Sequence, residues 1–201
     1  MSTSQRPHGG PAIEYVFLDR DGVINRKPSE GAYVTRWEEF DLLPGVAGAI
    51  ASLNRSGRTV IVVTNQRGIA LGLMTEAELG AIHDRLQREL AREGAAIDAI
   101  YYCPHGKDEC HCRKPQTGML EAAFRDFPGA AAENSILIGD SLSDMECGRR
   151  AGMATIFIEA EDEQRKPASE AAKAIADGVA GCLDDAVRWI LGRDQANKSR
   201  R

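Results

Sequence analysis

With 201 residues, 43% of them hydrophobic, the chain can bury a real core but leaves no stretch large enough for a second folded domain. Its net charge of −5 argues against a duplex nucleic-acid binder, which shows a basic face, while a small anionic substrate needs only one local cluster of Arg and Lys. The apolar runs are strand-sized and broken by charge or Gly, and MSTSQRPHGGP has no apolar signal core, so neither a membrane partner nor a secretory route is expected and the location expected is cytoplasmic.

In chain order, a short disordered lead (1–12) precedes a strand-type run at Ile13–Leu18. Val46–Leu53 follows a Pro-Gly pair and reads as a helix, and Thr59–Val63 is a second, β-branched strand. Thr75 opens a helix with Glu78 completing a capping box, and Leu79, Ile82, Leu86 and Leu90 repeat along it at helical spacing. Ala99–Cys103, Ile136–Gly139 and Thr155–Ile158 read as three more strands, with helices near Met119–Phe127 and Met145–Ala151. Glu159–Glu170 is polar and reads as a surface loop; a last helix spans Asp184–Leu191, capped by Asp184 or Asp185, and a polar basic tail covers 192–201. Strands alternating with helices imply an α/β fold over 13–191, a Rossmann-like parallel sheet with helices on both faces. Ligands of such sheets bind at the carboxyl ends of the strands, so chemistry is expected just after Leu18, Val63, Cys103 and Gly139.

The polar motifs fall there. In FLDRDGVIN (Phe17–Asn25), Asp19 and Asp21 leave a buried strand with one residue between them. Two acids in one loop repel unless a cation lies between them, and Mg²⁺ takes hard oxygen ligands and shares them with phosphates; a pair of surface acids in an Asp-Gly turn is the plainer alternative. In VVTNQRGIA (Val62–Ala70), Thr64 ends the second strand, either as a donor to a phosphoryl oxygen or, with Asn65, as a loop former. In CPHGKDECHCRKP, Cys103, His105, Cys110 and Cys112 make a complete tetrahedral set for Zn²⁺ with no open position, hence a structural site; a disulfide or chance clustering competes, and His111 is expected to point away. Arg113 and Lys114 follow at once, either as rigidly held phosphate-binding cations or as a solvated basic pair. In IGDSLSDMECG, Asp140 is placed to complete the Mg²⁺ site, while Asp144 either supports it from behind or caps a helix. Cys147 and Cys182 read as buried fillers or spectators, His83 as a half-buried histidine, and Trp37 and Trp189 as packing residues.

In the order and combination LDRDGVIN, TNQRGIA, CPH…CHCRKP and GDSLSDM, the chain resembles the haloacid dehalogenase (HAD) superfamily of phosphatases, from about Phe17 to Gly148. Within it the chain is similar to the small, cap-less histidinol-phosphatase and heptose-bisphosphatase group, whose members carry a zinc loop. The resemblance implies hydrolysis of the 7-phosphate of a D-glycero-D-manno-heptose 1,7-bisphosphate, in ADP- or GDP-heptose synthesis for lipopolysaccharide precursors; histidinol phosphate is the alternative substrate. It implies Asp19 as nucleophile, Asp21 as acid and base, and Thr64 and Lys114 on the transferring phosphoryl group. Mg²⁺ would be held by Asp19, the Asp21 backbone carbonyl and Asp140, and Zn²⁺ by Cys103, His105, Cys110 and Cys112. Arg113, with the backbone of Asn65, Gln66 and Arg67, would contact the rest of a phosphorylated sugar, and Arg20 is a further substrate-contact candidate. The segment RKPSEGAYV after Asn25 is longer than the heptose-enzyme pattern, and Ser141 stands where some relatives carry Lys. A monomer is expected, because no long apolar surface stripe stands out.

Overall fold

The structure, a computed structural model, describes residues 12–29, 31–159 and 167–198. The lead up to residue 11 and the stretch 160–166 of the expected loop lie outside the described residues. Five strands form where β-branched and aromatic runs occur: β1 (Tyr15–Leu18), β2 (Thr59–Asn65), β3 (Ala99–Cys103), β4 (Ser135–Gly139) and β5 (Ala154–Ile158). With a short β6 (Gly178–Ala180) they make one six-stranded sheet in the order β3-β2-β1-β4-β5-β6. Every pairing in it is parallel.

A parallel sheet must be covered on both faces, because its crossover helices lie on them. Alternate residues of each strand accordingly enter two cores. Val16, Leu18, Val60, Val62, Ile136, Ile138, Ile156 and Ile158 pack under α1 (Val46–Arg55), α2 (Glu76–Ala91) and α6 (Leu183–Lys198). Phe17, Ile61, Val63 and Leu137 pack under α3 (Gly118–Asp126) and α4 (Leu142–Arg150). A satellite cluster of Met145, Phe157 and Ala172 joins α4 to α5 (Pro167–Ile175).

The helix starts follow from local chemistry. Thr75 caps α2 and Glu78 returns the bond to the Thr75 backbone, while Leu79, Ile82, Leu86 and Leu90 turn inward as their spacing predicts. α4 begins at Leu142, three residues before the expected Met145, because Ser141 is its cap. Asp144 is therefore not the cap; it is the third residue of the helix and closes a capping box with Ser141. Two further expectations change. The end of the expected polar loop turns helical at Pro167, a residue suited to a first helical turn, and α6 runs on to Lys198, so residues 192–198 are helix rather than tail. Cys147 is buried as expected, whereas Cys182 is exposed. Trp37 packs by stacking on Phe40, with ring centroids 4.9 Å apart. Among the described residues no helix is long and apolar enough to cross a membrane.

The consequence for function is positional. The chain enters the sheet at β1, runs outward to β3, and returns to β4 on the other side of β1. The loops after β1 and β4 therefore part in opposite directions and leave a crevice at their carboxyl ends.

Candidate active site

Asp19 is the first residue beyond β1, and its backbone NH donates to Ile138 O on β4 at 2.9 Å. The chain then turns tightly: Gly22 NH donates to Asn25 O at 2.7 Å and Ile24 NH to Arg20 O at 2.8 Å. Gly22 sits at φ +96°, and a Cβ there would lie 2.1 Å from Asp140 Oδ2. Only glycine lets the loop after β1 close onto the loop after β4.

This closure brings three carboxylates together. Asp19, Asp140 and Asp144 are all buried, and each offers an oxygen within 4.8 Å of the others. Lys114, itself buried, reaches in from the far side. Its ammonium lies 2.9 Å from Asp19 Oδ1 and 2.5 Å from Asp144 Oδ1, and donates to Val63 O at 2.8 Å. Lys27 covers the outer side, with Nζ 2.6 Å from Asp140 Oδ2.

The charges do not balance: three buried acids face two lysines, one of them exposed to solvent. Burial, opposed by Lys114 and reinforced by Asp144 and Asp21, pushes Asp19 up to about 6. Burial likewise pushes Asp140 up to about 7 despite Lys27. Burial works against the Lys114 charge, but Asp144 and Asp19 outweigh it and raise its pKa, so the ammonium stays charged. Hard oxygen donors, close together and carrying excess negative charge, fit Mg²⁺. The carboxylate cluster contains Asp144 in place of the Asp21 side chain, and Asp144 serves as the counter-ion of Lys114 as well as a box residue of α4.

Asp21 faces a different set of partners. Arg20 Nη2 donates to its two oxygens at 2.9 and 3.0 Å, Asn25 Nδ2 at 2.9 Å and Gln66 Nε2 at 3.0 Å. Burial opposes its charge, but Arg20 and these hydrogen bonds hold the carboxyl below its usual range. Gln66 also donates to Thr64 Oγ1 at 2.9 Å, so one amide joins Asp21 to Thr64.

One expected substrate contact is thereby corrected, and the side chains beside the expected backbone contacts at 65–67 prove to have work of their own. Arg20 is fully buried and braces Asp21, so it does not face a substrate. Gln66 is buried with its amide spent on Asp21 and Thr64. Asn65 spends its side chain on the Lys114 backbone, accepting from its NH at 3.0 Å and donating to its carbonyl at 3.2 Å. Arg67 and Arg113 remain half-buried; Arg67 Nε is buried without an acceptor among the described residues, and the Arg113 side chain makes a long 3.4 Å bond to His105 O. Sequence reasoning missed Lys27, which lies in a segment that reads as plain polar loop. It also missed the Asp144–Lys114 pair, although the spacing of Ser141 and Asp144 does signal a capping box.

Beside this cluster stands a second one. Cys103 ends β3, and its Sγ lies 3.5 Å from Cys110 Sγ and 3.3 Å from Cys112 Sγ, with Cys112 to Cys110 also 3.3 Å. His105 Nδ1 lies 3.7 Å from Cys103 Sγ and 3.4 Å from Cys112 Sγ. A tetrahedron with bonds of about 2.3 Å has edges of about 3.7 Å, so the four ligand atoms already approximate a zinc cage. All five cysteines are free, and the sulfur spacings exclude disulfides. His111 is exposed and outside the cage, as expected. Arg113 NH donates to Cys110 Sγ at 3.3 Å, which ties the residue before Lys114 directly to the cage.

A HAD-hydrolase-like family model matches residues 111–186. A D-glycero-alpha-D-manno-heptose-1,7-bisphosphate 7-phosphatase of Mycobacterium bovis is 43% identical over 140 residues, 69% of this chain and 73% of that protein. The chain belongs to the HAD-like phosphatases, in their heptose-bisphosphatase group. A D-glycero-beta-D-manno-heptose-1,7-bisphosphate 7-phosphatase of Vibrio cholerae is 37% identical over 184 residues, covering 88% of this chain and 95% of that one. Among solved structures, the D,D-heptose 1,7-bisphosphate phosphatase of B. bronchiseptica, complexed with magnesium and phosphate, matches this HAD-like chain with a TM-score of 0.76 and 33% identity. The superposition covers 90% of this chain and 99% of that one.

Proposed function

We propose that this HAD-like enzyme is a Mg²⁺-dependent phosphatase that removes the 7-phosphate of D-glycero-D-manno-heptose 1,7-bisphosphate. The observation that carries the reading is the meeting of Asp19, Thr64, Lys114 and Asp140 at the carboxyl ends of adjacent strands, in a chain that covers 95% of a heptose-bisphosphatase relative.

The residues divide the work. An Asp19 oxygen attacks phosphorus, the bond from phosphorus to the sugar oxygen breaks, and an aspartyl phosphate forms. Asp21 gives a proton to the departing sugar oxygen. Its carboxylate then takes a proton from a water that attacks phosphorus, releasing phosphate and Asp19. The four donors around Asp21 favour its ionised form, the form the second half-reaction needs. Lys114 supplies fixed positive charge beside the attacking oxygen, and Thr64, whose oxygen accepts from Gln66, has its own proton to donate to the phosphoryl group. Asp19, Asp140 and the Asp21 backbone carbonyl are the groups to hold Mg²⁺, which when bound neutralises phosphoryl charge. Arg67 and Arg113 are the half-buried cations left for the remainder of a doubly anionic sugar. The Cys/His cage is a closed Zn²⁺ site with a structural role.

Phosphate release over a panel of sugar and amino-alcohol phosphates with Mg²⁺ tests the substrate. Rapid release from heptose 1,7-bisphosphate is expected. Rapid release from histidinol phosphate, with little from the heptose, overturns the assignment.

A further inference from the structure

His83 lies on α2, away from every motif, on the side of the helix that faces Arg20. It is buried, its Nε2 stands 3.5 Å from Arg20 Nη1, and its ring is tilted against Tyr102 with centroids 6.3 Å apart. Arg20 is the largest fully buried side chain of the protein's described residues. Its guanidinium has one face 5.7 Å from the Phe40 ring centroid, its Nε and Nη2 on Asp21, and its Nη1 toward His83.

A guanidinium only donates, so Nε2 must be the accepting nitrogen and the His83 proton must sit on Nδ1. The neutral ring this requires agrees with the environment. Burial first, then the Arg20 charge, lower the His83 pKa to about 4, with Asp21 pulling the other way.

We propose that His83 is a positioning residue for the reaction: it anchors the inner end of the Arg20 fork, and Arg20 in turn holds the Asp21 carboxylate in register with the leaving oxygen. This rests on the acid role given to Asp21 above. Without the acceptor on α2, a buried cationic NH has no partner, and Arg20 relieves that cost by turning away from Asp21. His83 touches neither substrate nor metal, so its effect is confined to the steps Asp21 serves.

The leaving group exposes that confinement. A sugar alkoxide needs a proton as it departs; 4-nitrophenolate does not. The ratio kcat/KM covers events through departure of the leaving group, so it isolates the acid step. In His83→Leu, kcat/KM for heptose 1,7-bisphosphate is expected to fall ~10-fold, a partial loss of a contribution that is about 100-fold or more when intact. For 4-nitrophenyl phosphate it is expected to stay within about two-fold. His83→Gln, whose amide oxygen can accept from Arg20, is expected to restore the sugar substrate. His83→Asn keeps polarity but withdraws the acceptor, and repeats the Leu result if the Leu variant folds poorly. Equal losses on both substrates, or no loss on the sugar, overturn the proposal. Asp21→Asn run alongside separates the two readings. Full activity of Asp21→Asn on the sugar removes the acid assignment itself. An impaired Asp21→Asn beside unaffected His83 variants removes only the role of His83.

Discussion

The carboxylate cluster and the Cys/His cage lie on neighbouring strand ends and are built in opposite ways. The cage is local: four ligands from Cys103 to Cys112, three of them partly or fully exposed, with their ligand atoms within 4.8 Å of one another. The carboxylate site is assembled across the sheet from β1, β2, β4 and the loop that carries Lys114, and its Asp19, Thr64, Lys114, Asp140 and Asp144 are buried. A local cage needs few supports, because the metal orders it. A cluster of buried like charges needs many, because each carboxylate costs several kcal/mol to desolvate and is tolerated only with partners. The supports are visible: Lys114 between Asp19 and Asp144, Arg20 and Gln66 on Asp21, Asn65 on the Lys114 backbone.

The largest effect expected comes from removing the nucleophile. Asp19→Asn should reduce turnover by ~10³-fold or more, since an amide cannot form the phosphoenzyme. Circular dichroism and zinc content should match the parent, because the cage does not depend on the carboxylate cluster. Measurable turnover near the parent rate refutes the nucleophile assignment.

The opposite cut tests whether the dependence runs the other way. Cys110→Ser should lose zinc and, with it, the sulfur that accepts from Arg113 NH at 3.3 Å. Lys114 is the next residue, so its ammonium should lose its fixed place between Asp19 and Asp144. Supporting groups around a metal are worth about 10–100-fold, and a fall of that size in turnover is expected. Zinc content by atomic absorption and kcat measured on the same preparation decide it; full activity without zinc would show that the cage does not support the site.

The same contrast explains which parts of the molecule are legible in its amino-acid sequence. The cage is legible because its ligands are close along the chain and their chemistry is distinctive. The strands β1 to β5 are legible as apolar runs, and the strand-end rule then locates Asp19, Thr64 and Asp140. What escapes depends on distance or on brevity. β6 has three residues, too few for a period of two to show, and α5 has nine residues and starts inside a polar run that reads as loop. Arg20 between two acids reads as a substrate contact, and only the packed fold shows Phe40 and His83 closing around it. The support that the Asn65 and Gln66 side chains give Lys114 and Asp21 escapes for a related reason: polar residues after a strand can serve a ligand or serve the residues that do.

Asn65 gives the smallest and sharpest test, because it is a joint between the two regions. Its side-chain carbonyl accepts from Lys114 NH and its amide donates to Lys114 O, so it fixes the backbone that aims the ammonium without touching zinc or the carboxylates. Asn65→Ala leaves both backbone groups without that partner, at a cost of about 1–3 kcal/mol in stability. Turnover should fall by about ten-fold as Lys114 gains freedom, less than after loss of the cage, and zinc content should stay at one equivalent per chain in keeping with a closed site. Denaturant melts, kcat and zinc analysis on one preparation separate the outcomes. Loss of zinc together with activity would mean that the cage leans on Asn65 and is not independently ordered. Retained zinc with reduced turnover would place the link between the two regions in the Lys114 backbone.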